Sequence, residues 1–80
     1  MKKVYLVMQN LYSLGENFGP DVVGVFDSEE KAIHYIVRSF GNTVFTYNSE
    51  TRMYSREHDL NIKVTKWVKE MRLNKGFGDL

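Results

Sequence analysis

The side chains best suited to metal binding or acid–base chemistry in this chain are its two histidines. His58 stands beside Asp59, a pair that occurs in metal-dependent phosphohydrolases, and His34 falls on the polar side of a predicted helix. A metal site needs three or four converging ligands, and the 80 residues hold no cysteine and no second pair at ligand spacing. We therefore interpret both histidines as surface residues.

A glycine-bracketed segment and a pair of glutamates are further candidates for chemistry. The segment Gly15-Glu16-Asn17-Phe18-Gly19 is not followed by Lys-Ser or Lys-Thr, so it cannot be a phosphate-binding P-loop. Glu29 and Glu30 match a helix cap better than a general acid–base pair. No histidine is placed to activate a serine. We expect no enzyme activity, no catalytic residue, no metal and no cofactor.

Aromatic residues form a more informative set, since they make up 14% of the chain. A single helix can cover only one face of a sheet, so strand residues on the second face need another cover. The candidates for that second face are Tyr5, Phe45 or Tyr47, Tyr54 and Trp67. These side chains are solvated, covered by the 10–20 segment folded over them through its own apolar residues, or covered by another molecule.

Residues 61–75 carry a local excess of positive charge although the net charge of the chain is only +1. The bases of this segment are Lys63, Lys66, Lys69, Arg72 and Lys75, against Glu70. Such a row is typical of a solvated edge strand, where lysine discourages sheet-to-sheet aggregation. Combined with two of the aromatics, it gives a candidate interaction surface: Tyr54, Trp67, Lys63, Lys66 and Lys69.

The elements that must position these residues begin with two strands. Residues 3–9 alternate Val4, Leu6 and Met8 with two apolar residues on the other face, which predicts an interior strand. Residues 10–20 predict a long connection rather than a tight hairpin turn. Residues 21–26 predict the second strand, in which Gly24 marks a bulge or a close backbone approach.

A helix is predicted over residues 28–40, where apolar residues recur at helical spacing. Asp27 is the preferred N-cap, with Glu30 three residues later completing a capping box. Gly41 is the predicted stop. The apolar face comprises Ala32, Ile33, Ile36, Val37 and Phe40.

The second half of the chain predicts more strands. Residues 43–48 are rich in threonine and aromatics and predict a strand. A turn at 48–51 follows, residues 52–56 return as the partner strand, and 57–59 then break the pattern. Residues 61–73 favour a strand by composition, while their apolar periodicity leaves a helix as the alternative. Residues 75–80 predict a frayed tail.

These elements define the fold class: an α+β domain over residues 1–80, with a small, mainly antiparallel sheet of four or five strands and one helix on one face, in the order ββαβββ. The apolar run 4–8 is too short for a signal peptide, and no stretch approaches about 18 consecutive apolar residues. We expect a cytoplasmic protein that does not enter the membrane.

Two stretches resemble small uncharacterised proteins of Gram-positive bacteria and phages. They are the opening Lys3-Val4-Tyr5-Leu6-Val7 and the junction Gly24-Val25-Phe26-Asp27-Ser28-Glu29-Glu30-Lys31-Ala32. The ending Leu73-Asn74-Lys75 is similar to the close of such chains. The resemblance implies the order ββαβββ with a final strand, and it implies no activity.

The function predicted from these observations is a non-catalytic protein-binding module. It acts through its sheet face or a sheet edge, on a second copy of itself or on a host protein. The alternative is a nucleic-acid-binding protein, in which the bases of 61–75 meet phosphates while Tyr54 or Trp67 stacks on bases. A net charge of +1 argues against the alternative, because nucleic-acid-binding domains are usually more basic.

Overall fold

The computed structural model describes residues 2–41, 43–59 and 61–73. Its elements are β1 (Lys2–Ser13), β2 (Glu16–Phe26), α1 (Glu29–Ser39), β3 (Thr46–Asn48), β4 (Met53–Asp59) and β5 (Ile62–Leu73). The α+β class and the order ββαβββ are confirmed. The tail predicted at 75–80 lies outside the described residues. So do residues 74–75 of the ending Leu73-Asn74-Lys75. No helix in the described ranges is long and apolar enough to span a bilayer.

All five strands form one antiparallel sheet in the order β2-β1-β5-β4-β3. The prediction of an interior position for β1 is confirmed, and the last element is a strand. The expectation that the basic segment forms an edge strand was wrong, because β5 is the central strand. It lies between β1 and β4, and this pairing satisfies both of its backbone edges.

The long connection predicted at 10–20 does not exist. β1 continues to Ser13 and β2 begins at Glu16, so only Leu14 and Gly15 separate them. Both turn residues have positive φ, 51° and 81°, as a type I′ hairpin turn requires. The prediction failed because Pro20 and the neighbouring glycine read as loop, whereas an edge strand tolerates both.

β2 has a bulge next to Gly24, the residue at which a bulge or a close backbone approach was predicted. The register shifts between Val7 and Met8 of β1, whose partners are Gly24 and Val22, so Val23 is the extra residue of a bulge. A Cβ atom on Gly24 would lie 2.8 Å from Cε2 of Phe26. Gly24 therefore lies next to a bulge, the first of the two predicted alternatives, and its missing side chain leaves room for the Phe26 ring.

The helix begins and ends within a residue of the predicted range, but its N-cap is Ser28 rather than Asp27. The Ser28 side chain accepts a hydrogen bond from the backbone N–H of Lys31 at 3.2 Å. Asp27 instead pairs with the Lys31 amine at 3.0 Å, and with Lys31 at the third helical position no capping box forms. Gly41, with φ of 61°, follows the helix as the predicted stop.

β3 and β4 form a short hairpin at the other edge. β3 is limited to Thr46–Asn48, shorter than predicted, and β4 continues through the residues expected to break the pattern, 57–59. The turn is confirmed: the Asn48 side chain accepts hydrogen bonds from the backbone N–H groups of Glu50 and Thr51. This side-chain acceptor stabilises the turn in the way typical of asparagine.

The core lies between α1 and the part of the sheet nearest to it. Val7 of β1 is fully buried against Ala32 and Ile36 of the helix, with Phe40 almost fully buried beside them. The rings of Phe40 and Phe45 stack at 5.0 Å between centroids, and Phe45 contacts Tyr54 in turn. The helix spans only about 16 Å of an elongated molecule, so the distal half of β1 and β5 extends past it.

Candidate interaction surface

The two faces of the sheet are separated by the alternation of side chains along each strand. Val7, Val68 and Tyr54 pack against the helix, and the register places them on the same side of three neighbouring strands. Their immediate neighbours along the chain therefore point to the opposite side. We call that side, turned away from α1, the open face.

The structure divides the predicted interaction surface between these two faces. Trp67, Lys63 and Lys69 alternate with core-facing residues of β5 and lie on the open face. Tyr54 and Lys66 are cross-strand partners on the helix side. The five residues therefore do not form one continuous surface.

Most aromatics assigned to the second face belong to the helix side. Tyr5, Phe45 and Tyr54 pack against the core, and Tyr47 contacts the Tyr54 ring at 4.6 Å. Trp67 alone of the predicted aromatic set lies on the open face. The other assignments failed because the facing of a side chain depends on strand register, which neither composition nor periodicity specifies.

One row and two pairs of apolar side chains lie on the open face around Trp67. One row follows the register across four strands: Val22, Met8, Trp67 and Met53. Beside it lie two pairs: Val25 with Leu6, and Val4 with Met71. We call these eight residues the apolar patch. Val22 and Val25 are 52% and 60% exposed, whereas Trp67 is partly buried among its neighbours.

No element in the described part of the chain covers the apolar patch. The 10–20 segment, expected as one possible cover, consists of the paired ends of β1 and β2 and the turn between them. Sequence reasoning missed the aliphatic and methionine members of the patch by concentrating on aromatics. Their signal was nevertheless present in the predicted first strand, where Val4, Leu6 and Met8 alternate on one face.

Charged and polar groups border the apolar patch. The charged strand side chains described on the open face are Lys2, Lys63, Lys69 and Glu57. Further along the same face, a shallow basin contains Thr65, which is 8% exposed and has its hydroxyl 3.4 Å from that of Ser55. The face thus combines an apolar centre with a border that is predominantly positive.

Lys66 occupies a different environment on the helix side. Its amine donates a hydrogen bond to Oγ of Ser39 at 2.7 Å and lies 5.3 Å from the centroid of the Phe40 ring. Burial lowers the pKa of Lys66, because desolvation disfavours the ammonium form. Burial also raises the pKa of the neighbouring Tyr54.

Side chains that could hold a metal do not converge in the described ranges. No group of three His, Asp or Glu side chains there could ligate an ion. His34 is exposed on α1, and the side chain of His58 lies outside the described residues. Comparisons with protein-family models, with curated proteins and with solved structures found no match. The candidate function therefore depends on the geometry of the open face.

Proposed function

We propose that the protein is a non-catalytic binding module whose open face takes up an apolar segment of another protein flanked by acidic residues. The observation that carries the proposal is the apolar patch, which no described residue covers. Leaving a large apolar side chain in water forgoes roughly 1.5–3 kcal/mol compared with full burial. A partner that covers the patch would recover part of this free energy.

The size of the apolar patch favours a short segment over a permanent dimer. Four strands span about 14 Å, and four residues along a strand span about 13 Å. The patch thus measures on the order of 200 Å², whereas a stable interface buries about 800 Å² on each partner. A segment that adds contacts to the positively charged border can bind here without a large flat interface.

The charges around the patch favour an acidic partner. Lys69 lies two residues from Trp67 on the same face. Lys63, directly opposite Glu57 of β4, lies four residues away on the other side of Trp67, so the positive charge of the border is strongest at Lys69. A second copy would bring an equally positive border to the interface, whereas carboxylates on a partner would meet opposite charges. We therefore favour a different protein over self-association.

Nucleic acid is the weaker candidate for this surface. The basic residues of β5 are distributed over two faces, with Lys66 engaged by Ser39 on the helix side. A strand of nucleic acid is bound by a continuous positive groove with stacked aromatics. The proposal places the protein in the cytoplasm, in keeping with its lack of cysteine.

Charge substitution at Val25 tests the proposal. Val25 is 60% exposed at the margin of the patch, so either charge should leave the fold intact. Proteins recovered by affinity purification with the parent should be lost with Val25→Glu and retained better with Val25→Lys, because only glutamate repels an acidic partner. Tyr47→Ser, which alters an exposed aromatic on the helix side, is the matched control.

Direct contact is then measured by fluorescence, since Trp67 is the only tryptophan in the chain. A purified partner, prepared without tryptophan, should shift the emission of Trp67 to shorter wavelength as it covers the patch. Equal recovery with both Val25 variants, or unchanged emission, would overturn the proposal. A concentration-dependent dimer that Val25→Glu dissociates would assign the face to a second copy instead.

A further inference from the structure

We propose that the pocket between the C-terminal end of α1 and strands β1, β5 and β4 binds a phosphate-sized oxyanion through Arg56 and Lys66. The pocket measures about 150 Å³ and is lined by Gln9, Ser39, Phe40, Arg56, Val64 and Lys66. It lies on the helix side of the sheet, and its function is independent of the open face.

Strand register brings the two cations together. Gln9 lies directly opposite Lys66 across β1 and β5, and Val64 lies opposite Arg56 across β5 and β4. Arg56 and Lys66 are therefore diagonal neighbours on one face, roughly 7 Å apart at their backbones. One small anion placed between them can contact both side chains.

Neither cation has a carboxylate partner among the side chains that the structure describes. The ion pairs found there are Lys3–Glu70 and Lys31–Asp27. Nε of Arg56 is buried and has no hydrogen-bond acceptor among the described residues. An unsatisfied buried donor is unfavourable, and two neighbouring cations repel each other. A bound oxyanion would supply the missing acceptor and the missing negative charge.

Lys66 is held in a position suited to ligand binding. Its hydrogen bond to Ser39 and its place over the Phe40 ring fix the amine, yet they use only one of three N–H donors. Two donors thus remain for a ligand. The guanidinium of Arg56 adds a planar fork that matches the oxygens of phosphate.

The helix C-terminus does not oppose an anion strongly at this point. Such an end carries partial negative charge on its terminal carbonyls. Here the carbonyls of Ile36, Val37, Arg38 and Phe40 each accept a further hydrogen bond from Ser39, Phe40, Gly41 and Thr43 respectively. These local donors, together with the Lys66 amine, offset the charge of the helix end.

Phosphate suits the donor arrangement better than a carboxylate does. The donors of Arg56 come from β4 and those of Lys66 from β5, and Gln9 lies opposite Lys66 on β1. A carboxylate presents two oxygens in one plane, whereas a phosphoryl group presents three or four in a tetrahedron. The tetrahedral ion can satisfy the arginine fork and the lysine at the same time.

A nitrogen-15 NMR titration of the whole chain with inorganic phosphate tests the site, with acetate at matched ionic strength as the comparison. Phosphate should give saturable shifts confined to the pocket residues, and acetate should bind more weakly. Arg56→Gln and Lys66→Gln should each weaken phosphate binding about tenfold, through loss of a charge-assisted hydrogen bond. Lys63→Gln, on the open face, should change it less than about twofold.

Several results would overturn the site. They are shifts spread over all surface lysines, equal binding of acetate, and variants that bind phosphate as well as the parent does. If the variants fail to fold, the map of shifts in the parent still decides, because it requires no substitution. Loss of partner binding in the Val25 variants would leave this result unchanged, since Val25 lies on the other face.

Discussion

Asp27 and Ser28 are adjacent in sequence but have different roles: one forms a surface ion pair and the other caps the helix. Both types cap helices well, and the sequence places them side by side before the first helical turn. The structure assigns the backbone hydrogen bond to Ser28 and the pairing with Lys31 to Asp27. The two residues therefore stabilise the same helix by different mechanisms of different strength.

Ser28→Ala should lower the free energy of unfolding by about 1 kcal/mol, since it leaves a helix N–H without its acceptor. Asp27→Ala should lower it less, because both partners of its ion pair are largely exposed and screened. Urea melts of the two variants and the parent compare the effects. A larger loss for Asp27→Ala would show that Asp27 is the effective cap in solution.

The partly buried amine of Lys66 predicts that the stability of the fold depends on pH. Burial lowers its pKa from the ordinary 10.5, so between the folded pKa and 10.5 the unfolded chain binds more protons. Stability contributed by Lys66 therefore rises with pH across that interval. Lys66→Met removes the titration while keeping an apolar stem beside Phe40.

Urea melts from neutral pH to about pH 10 measure this effect as the difference in free energy of unfolding between the parent and Lys66→Met. The difference should change in favour of the parent as pH rises. Tyr54 also titrates at high pH, but it is present in both chains. A constant difference would show that the Lys66 amine is as well solvated in the fold as in the unfolded chain.

At the scale of elements, α1 supplies Ala32 and Ile36, two of the four buried apolar residues among those described. Ile36 is fully buried and packs with Val7 and Phe40, whereas Val37, one residue later, is 40% exposed. Ile36→Ala should lower the free energy of unfolding by roughly 2–5 kcal/mol through lost burial and a cavity. Val37→Ala should lower it by less than about 1 kcal/mol. Equal losses of unfolding free energy for the two variants in denaturant melts would show that Ile36 is not a core residue.

The helix was predictable because its signal is local. A cap residue, an apolar stripe and a stop glycine all occur within about fourteen residues, and each acts through neighbours in sequence. The strand character of β5 was likewise favoured by its β-branched and aromatic residues. Elements defined by their own composition were therefore assigned to the correct type.

The β1–β2 hairpin and the open face were not predictable in the same way. Leu14-Gly15 is not one of the sequence pairs that commonly signal a two-residue turn, and Pro20 argued for a loop. The grouping of Met8, Trp67 and Met53 depends on long-range register between three strands. Alternation shows that two faces exist, but only register determines which residues share them.

At the scale of the whole molecule, the sheet is longer than the helix that stabilises it. The molecule measures 46 × 25 × 22 Å, and its radius of gyration of 14.3 Å exceeds the value of about 12 Å typical of 80 compact residues. The buried core residues all lie near α1. The ends of β1, β2 and β5 furthest from the core have ladder hydrogen bonds, but no helix in the described ranges lies above them.

This asymmetry predicts a gradient of local stability along the central strands. Amides near the core, such as those of Val7 and Val68, should exchange hydrogen only in global unfolding. Amides at the distal ends, such as those of Ser13 and Ile62, should exchange through local opening, because few buried contacts resist it. In each pair the two residues lie directly opposite one another on β1 and β5. The two pairs therefore have equivalent backbone pairing and differ in whether the helix lies above them.

Native-state hydrogen exchange, followed residue by residue with increasing denaturant, measures the gradient. Val7 and Val68 should show the free energy and denaturant dependence of global unfolding, and Ser13 and Ile62 should show smaller values of both. Leu11→Ala should accordingly destabilise the whole molecule less than Val7→Ala does, since Val7 is fully buried and Leu11 is only partly so. Equal protection at both ends would mean that the sheet opens as one cooperative unit. In that case the central β1–β5 pairing, rather than the helix-covered core, would set the stability of the fold.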